Sequence, residues 1–114
     1  MRRGAIVLTK FPFTDLTAIK RRPAVVVSRM ESQNEDVIVA FISSVIPETS
    51  CETDFIFDIN HKDFKKSGLK TTSVIKLDKL ATLNKSIFTG ELGFVSNETL
   101  LELNIKLMIA LDLN

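Results

Sequence analysis

The chain has 114 residues, 45% of them hydrophobic and 25% charged, and its formal net charge is +1. Residues 1–114 therefore suit a single domain with one hydrophobic core, and no run in the sequence reaches the roughly 20 apolar residues that a membrane-spanning helix needs. The only cysteine is Cys51 and the only histidine is His61, which excludes an internal disulfide and leaves too few ligands for a Cys/His zinc site. These features predict a cytoplasmic protein without a membrane segment, a metal or another cofactor.

Charge is distributed unevenly along the chain. Residues 1–29 contain seven Lys or Arg and one acidic residue, whereas residues 30–60 contain seven acidic residues and no Lys or Arg. Such asymmetry indicates a local positive patch that would attract an anionic partner. The alternative is that the two blocks lie on neighbouring strands and only pair their charges at the surface.

Short runs of β-branched and aromatic residues predict a mainly β protein. In chain order, the predicted strands lie near residues 4–10, 22–29, 36–43, 53–59, 72–77, 80–83 and 87–92. The runs 25–27 and 37–42 are apolar on both faces, so we expect them in the middle of a curved sheet. Turn-forming residues such as Pro12 and Asn34 separate the runs. Short strands with frequent turns are typical of a small barrel or sandwich.

Two helices are predicted in the second half of the chain. Residues 60–68 can form a short helix that Asn60 caps and Gly68 stops, with His61 exposed in its first turn. Residues 97–113 form a longer helix that Ser96 or Asn97 caps. Its apolar stripe is wide and consists of Leu100, Leu101, Leu103, Ile105, Leu107, Met108, Ile109 and Leu111. Such a stripe can cover the barrel, a second copy of the chain, or both.

A basic loop leads into the second strand at Arg22-Pro23. Because proline has no N–H, Pro23 belongs at a strand start or an edge, and it restricts the backbone of Arg22. A guanidinium held there, beside Lys20 and Arg21, can grip two phosphate oxygens at once. The alternative is a surface arginine that supports the strand end or pairs with an acidic residue.

Two hydroxyls, Ser43 and Ser44, end the third predicted strand. Neighbours on a strand point to opposite faces, so only one of them can face a given site. The alternative is that they bond to nearby backbone, as strand-end serines commonly do. A nucleophilic pair of Cys51 and His61 is a weaker alternative, because acidic residues flank Cys51 and disfavour its thiolate.

Five segments, taken in order, resemble the MazF/PemK family of toxin endoribonucleases from bacterial toxin–antitoxin systems. They are the first strand and its loop, the Arg-Pro strand, the strand that ends in two serines, the segment 68–83 and the C-terminal helix. The resemblance implies an SH3-like β-barrel of the PemK/CcdB type with a C-terminal α-helix, acting as a homodimer. It also implies sequence-preferring, metal-independent cleavage of single-stranded RNA, and a cognate antitoxin protein as a partner.

The resemblance also implies roles for particular residues. Arg22 and Ser43 would be catalytic: the guanidinium would stabilise developing charge on the phosphate, and the strand-end hydroxyl would assist it. The residues expected to bind RNA are Thr14, Lys20, Arg21 and Ser44.

The chain departs from the family pattern at Ala5, where members often carry an acidic residue, and in a loop without the glycines of several relatives. Two other functions fit the same fold. One is a module that binds RNA or a peptide without cleaving it, and the other is a gyrase poison of the CcdB type. The Arg-Pro strand start argues against the gyrase poison.

Overall fold

The computed structural model describes residues 1–11, 20–30 and 35–113, with the backbone alone at residues 11 and 20. These residues contain six strands and two α-helices, in the order β1 Ala5–Phe11, β2 Lys20–Val26, β3 Asp36–Ser43, β4 Asp54–Phe57, α1 Phe64–Ser67, β5 Ser73–Asn84, β6 Phe88–Phe94 and α2 Asn97–Ala110. A short 3₁₀ turn, Lys85–Ile87, joins β5 to β6. The turns expected at Pro12 and Asn34 lie outside the described residues.

The six strands form one antiparallel sheet in the order β4-β5-β3-β2-β1-β6. The runs 25–27 and 37–42 fall on or next to its central strands, as their two-sided apolar pattern predicts. The helix-side core contains Ile6, Val25, Ile42, Ile75 and Leu103, and the opposite core contains Val7, Val26 and Val39. The predicted mainly β fold with a C-terminal helix is confirmed.

The two strands predicted at 72–77 and 80–83 are one strand, β5, so that prediction was wrong. On β3, Ala40 pairs with Leu80 and the next residue, Phe41, pairs with Lys76. Residues 77–79 are therefore extra on β5, and the N–H of Leu77 donates instead to the carbonyl of Thr53 at 3.0 Å. A bulge of this kind bends a strand without ending it, which is why it resembles a turn in the sequence.

The short helix is α1, which is shorter than the predicted 60–68. Its N-cap is Asp63, whose side chain makes no capping bond, and Asn60 lies before it. Gly68 ends the helix as predicted, with φ of 74° in the left-handed region that glycine adopts readily.

His61 was expected to be exposed and is instead half-buried against aromatic rings. Its ring lies edge-on to Phe57, with 5.1 Å between centroids, and also contacts Phe55 at 6.3 Å. The N–H of Asp63 donates to its Nδ1 at 3.0 Å. His61 therefore packs beside the helix-side core.

Helix α2 begins at a capping serine, as predicted. The Oγ of Ser96 accepts a hydrogen bond from the N–H of Thr99 at 3.1 Å. Leu103 is buried in the helix-side core, and Leu100 and Leu107 pack against it. The other residues of the wide apolar stripe are exposed, and they are Leu101, Ile105, Met108, Ile109 and Leu111.

The carboxylate of Asp63 ties α1 to the start of α2. The Oγ of Ser96 donates to it at 2.7 Å, and this bond lowers the pKa of Asp63 below its ordinary 3.8, with Lys66 and Lys62 adding to the effect against burial. A carboxylate with a lowered folded-state pKa stabilises the fold above its unfolded pKa, and this contribution is lost as pH falls through the folded value.

We therefore expect Asp63→Asn to be less stable than the parent protein at neutral pH and to lose less stability between neutral pH and about pH 3. Urea unfolding at the two pH values measures both effects. The exposed Asp78 provides a matched control, Asp78→Asn, which should keep the acid sensitivity of the parent. Equal acid sensitivity in the Asp63 variant and the parent would contradict the assignment.

Candidate functional site

A cavity of about 520 Å³ lies at one end of the helix-side core, where β1, β2 and β3 meet the segment after α1. Its apolar lining consists of Leu8, Pro23, Ile42, Leu69 and Leu92, and its polar lining of Arg21, Arg22, Ser44, Lys70, Thr71 and Ser73. The volume is in the range of small-ligand sites, which are mostly apolar with a few placed polar groups.

Arg22 is held by its strand on one side of this cavity. It pairs with Thr9 of β1, and the Oγ1 of Thr9 donates to the carbonyl of Arg22 at 3.3 Å. The side chain is half-buried and its Nε is buried. Pro23, the next residue, pairs with Leu8, so the strand start predicted from the Arg-Pro pair lies inside the sheet ladder between β1 and β2. Arg21 is exposed at the rim.

Ser43 lies on the same face of the sheet as Arg22. Ala24 pairs with Phe41 across β2 and β3, and side chains alternate along each strand, so Arg22 and Ser43 both belong to the face of that pair. The Oγ of Ser43 accepts a hydrogen bond from the N–H of Val45 at 3.1 Å. Ser43 therefore lies on the face of the sheet that carries Arg22, and its catalytic role stays a prediction.

Ser44 follows on the other face and lines the cavity together with Arg21 and Arg22. Of the residues expected to bind RNA, the structure therefore brings Arg21 and Ser44 together. Thr14 and the side chain of Lys20 lie outside the described residues, and the backbone of Lys20 begins β2 opposite Phe11.

The far wall of the cavity was missed by the sequence reasoning. It comes from Leu69, Lys70 and Thr71, together with Ser73 at the start of β5 and Leu92 on β6. Two glycines, Gly68 and Gly93, are the signal in the sequence that could have indicated this wall. Each lies where α1 approaches β6.

The close approach leaves no room for a side chain at either glycine. A Cβ at Gly68 would overlap the carbonyl of Leu92, and a Cβ at Gly93 would overlap the carbonyl of Lys66 and the backbone of Ser67. The two glycines thereby set the position of the segment that forms the far wall of the cavity.

Among the described residues, no three His, Cys, Asp or Glu side chains are grouped so that they could hold a metal ion. Cys51 is exposed, and neither it nor His61 lines the cavity. No helix in the described ranges is long and apolar enough to cross a membrane.

Residues 2–111 match the family model described as PemK-like, MazF-like toxin of type II toxin-antitoxin system. The match covers nearly the whole chain, and the protein belongs to this family. No curated protein matches the chain by sequence.

The fold is similar to that of several solved structures. An endoribonuclease in complex with its cognate antitoxin from Mycobacterial species aligns with a TM-score of 0.79 and 20% identity, over 100% of this chain and 97% of that chain. The Mycobacterium tuberculosis toxin MazF-mt6 aligns with a TM-score of 0.76 and 20% identity, over 96% and 98%. A chain of the MazE-MazF structure (Form-II) from Deinococcus radiodurans aligns with a TM-score of 0.74 and 17% identity, over 100% and 97%. At these identities, the likeness establishes a shared fold.

Proposed function

We propose that the protein is an endoribonuclease toxin that cleaves single-stranded RNA without a metal ion and is neutralised by a cognate antitoxin. The observation that carries the proposal is the position of Arg22, held in the β1–β2 ladder beside the cavity and on the same face as Ser43. Family membership supports the same conclusion.

The proposed reaction is an internal transesterification of the RNA. The 2′-hydroxyl loses its proton and attacks the adjacent phosphorus, and the bond from phosphorus to the 5′ oxygen of the next nucleotide breaks. That oxygen takes up a proton, which leaves a cyclic phosphate and a 5′-hydroxyl. Negative charge accumulates on the phosphoryl oxygens, and a positioned guanidinium stabilises it through two charge-assisted hydrogen bonds. Ser43 would donate a further hydrogen bond.

The function is tested by incubating the purified chain with a pool of single-stranded RNA, with and without a metal chelator. We expect cleavage in both, with cyclic phosphate and 5′-hydroxyl ends. An antitoxin encoded beside the toxin should suppress it. A chain that cuts no RNA would contradict the proposal, and cleavage that a chelator abolishes and a divalent ion restores would contradict the metal-independent mechanism.

Ser43 and Ser44 should differ in their effect on turnover because they lie on opposite faces. We expect Ser43→Ala to lower the rate by about tenfold or more, the scale of a hydrogen bond to a charged group, and Ser44→Ala to lower it less. Single-turnover kinetics on one RNA measures both, and Ser86→Ala, an exposed serine outside the cavity, serves as the control. The reverse ranking would move the catalytic role to Ser44.

A homodimer is the second part of the proposal, supported by the outer stripe of α2. Leu101 and Ile105 are 64% and 60% exposed there. Burying apolar side chains of this kind against a second copy of the chain would stabilise the pair. In a two-fold dimer, the exposed stripe of each α2 would pack against the same stripe of the other copy. It would also present two copies of the Arg21-Arg22 pair, which would double the local positive charge for RNA or for an acidic antitoxin segment.

We expect Ile105→Glu to convert the dimer to a monomer, because the pair would bury two uncompensated charges. The control is Ile59→Glu, at a residue that is 53% exposed and lies outside the sequence of α2. Light scattering at micromolar concentration measures the mass of both variants and of the parent. A parent protein that is monomeric and still cleaves RNA would contradict the requirement for a dimer.

A further inference from the structure

The cavity beside Arg22 has the chemistry of a site for a flat, partly polar ring. One side is the cross-strand pair of Leu8 and Pro23, and Ile42 and Leu69 contribute further apolar surface. Aliphatic side chains of this kind can pack against the faces of a planar group.

Two hydroxyls, those of Ser44 and Ser73, lie in the lining of this cavity. On β3 and β5, Ser43 pairs with Val74. The residue that follows β3, Ser44, therefore lies across from Ser73, on the same face as the pair Ile42 and Ile75. Both line the cavity. They are therefore placed to meet the edge of a ring that packs on the aliphatic wall.

The hydrogen bonds of the two serines leave them able to recognise such an edge. Ser73 is 4% exposed, and its hydroxyl donates to the carbonyl of Thr71 at 2.9 Å, so its oxygen remains an acceptor. The hydroxyl of Ser44 makes no hydrogen bond within the part of the chain that the structure describes, so it can donate or accept. Together they can pair with the donor and acceptor groups of a nucleobase.

The rim of the cavity suits the rest of a nucleotide. Arg21 and Lys70 are exposed there and positively charged, and Arg22 lies beside it. Single-stranded RNA is recognised chiefly through unstacked bases that enter protein pockets and bond through their edges.

We propose that this cavity holds one unstacked nucleobase of the RNA, and that Ser44 and Ser73 read its edge and so determine the nucleotide preference at one position near the cut. This inference rests on the proposed nuclease function and adds the subsite that selects the sequence. It assigns Ser73, Leu69 and Thr71 to substrate binding, which the sequence reasoning did not.

The base-binding step is tested without cleavage, by NMR titration of the parent protein with each of the four nucleoside 5′-monophosphates and with inorganic phosphate. We expect the amides of Leu69, Thr71 and Ser73 to shift with the nucleotides, most strongly with one of the four, and not with phosphate. Shifts with phosphate alone, or none at these residues, would overturn the inference.

The specificity step is tested by sequencing the ends that the enzyme makes in a randomised RNA pool. Ser44→Ala and Ser73→Ala should each reduce discrimination at one position by about fivefold, the scale of one lost base contact, while other positions keep the parent profile. Ser86→Ala is the matched control. Because Ser73 is buried and Ser44 is exposed, the Ser44 variant keeps the test usable if the other does not fold.

The outcomes separate the two proposals. A parent enzyme that cuts RNA, with variants that keep its profile at every position, would overturn the base subsite and leave the nuclease intact. A protein that binds nucleotides at the cavity and cuts no RNA would uphold base binding there and overturn both the nuclease and the role of the subsite in cleavage preference.

Discussion

Replacing Arg22 with alanine is expected to lower the rate of RNA cleavage by about 100-fold or more, the scale of removing one preorganised donor from a charged transition state. Thr9 holds the Arg22 backbone in the ladder, so the strand should persist without the guanidinium. Arg22→Lys should recover little of the rate, because an ammonium cannot make the two-pronged contact. Single-turnover rates at saturating RNA measure both variants.

Arg21→Ala provides the comparison for this prediction. Arg21 is exposed at the cavity rim, so its loss should weaken RNA binding more than the chemical step. Comparing Arg22→Ala with Arg21→Ala also separates an enzyme from a non-catalytic binding module. In a binding module, both variants would lose only affinity for RNA. Full activity of the folded Arg22→Ala protein would contradict the catalytic assignment.

Replacing Gly93 with alanine is expected to destabilise the fold by about 1–3 kcal/mol, the usual cost of forcing extra volume into a packed site. The added Cβ would overlap the carbonyl of Lys66 and the backbone of Ser67, so α1 must move away from β6. That movement would displace the segment that carries Leu69 and Lys70, and RNA cleavage should fall as well. Chemical denaturation measures the loss of stability.

Gly90 on the same strand is a matched control. A Cβ there meets nothing within 4 Å, so Gly90→Ala should change stability by no more than about 0.5 kcal/mol, as surface substitutions usually do. Equal stabilities for the two variants would show that the approach of α1 to β6 does not depend on Gly93.

Features that depend on neighbouring residues were predictable from the sequence. The two-sided apolar runs at 25–27 and 37–42 indicated central strands, and Gly68 indicated a helix end, because side-chain alternation and positive φ are local properties. The strand start predicted at Arg22-Pro23 was wrong by two residues, because β2 begins at Lys20 and both residues pair with β1 inside the ladder. Ser43 and Ser44 could be placed on opposite faces but not assigned to a cavity.

Features that depend on how the chain folds back on itself were not predictable from the sequence. The bulge at residues 77–79 was read as a break between two strands because nothing nearby reveals that Thr53 takes up the freed N–H of Leu77. His61 was read as exposed although Phe55 and Phe57 lie only a few residues before it, because the helical pattern of residues 60–68 did not show that the turn after β4 brings its ring against theirs.

By itself, the sequence determined the mainly β class, the C-terminal helix, the family and the basic segment that carries Arg22, since each follows from local periodicity or an ordered set of local segments. Only the tertiary structure decided which residues complete the cavity that Arg22 lines. The sheet order and the close approach at Gly93 bring residues 69–73 to the ends of β2 and β3. Contacts between segments so far apart in the chain arise from packing the whole core, and no local pattern encodes them.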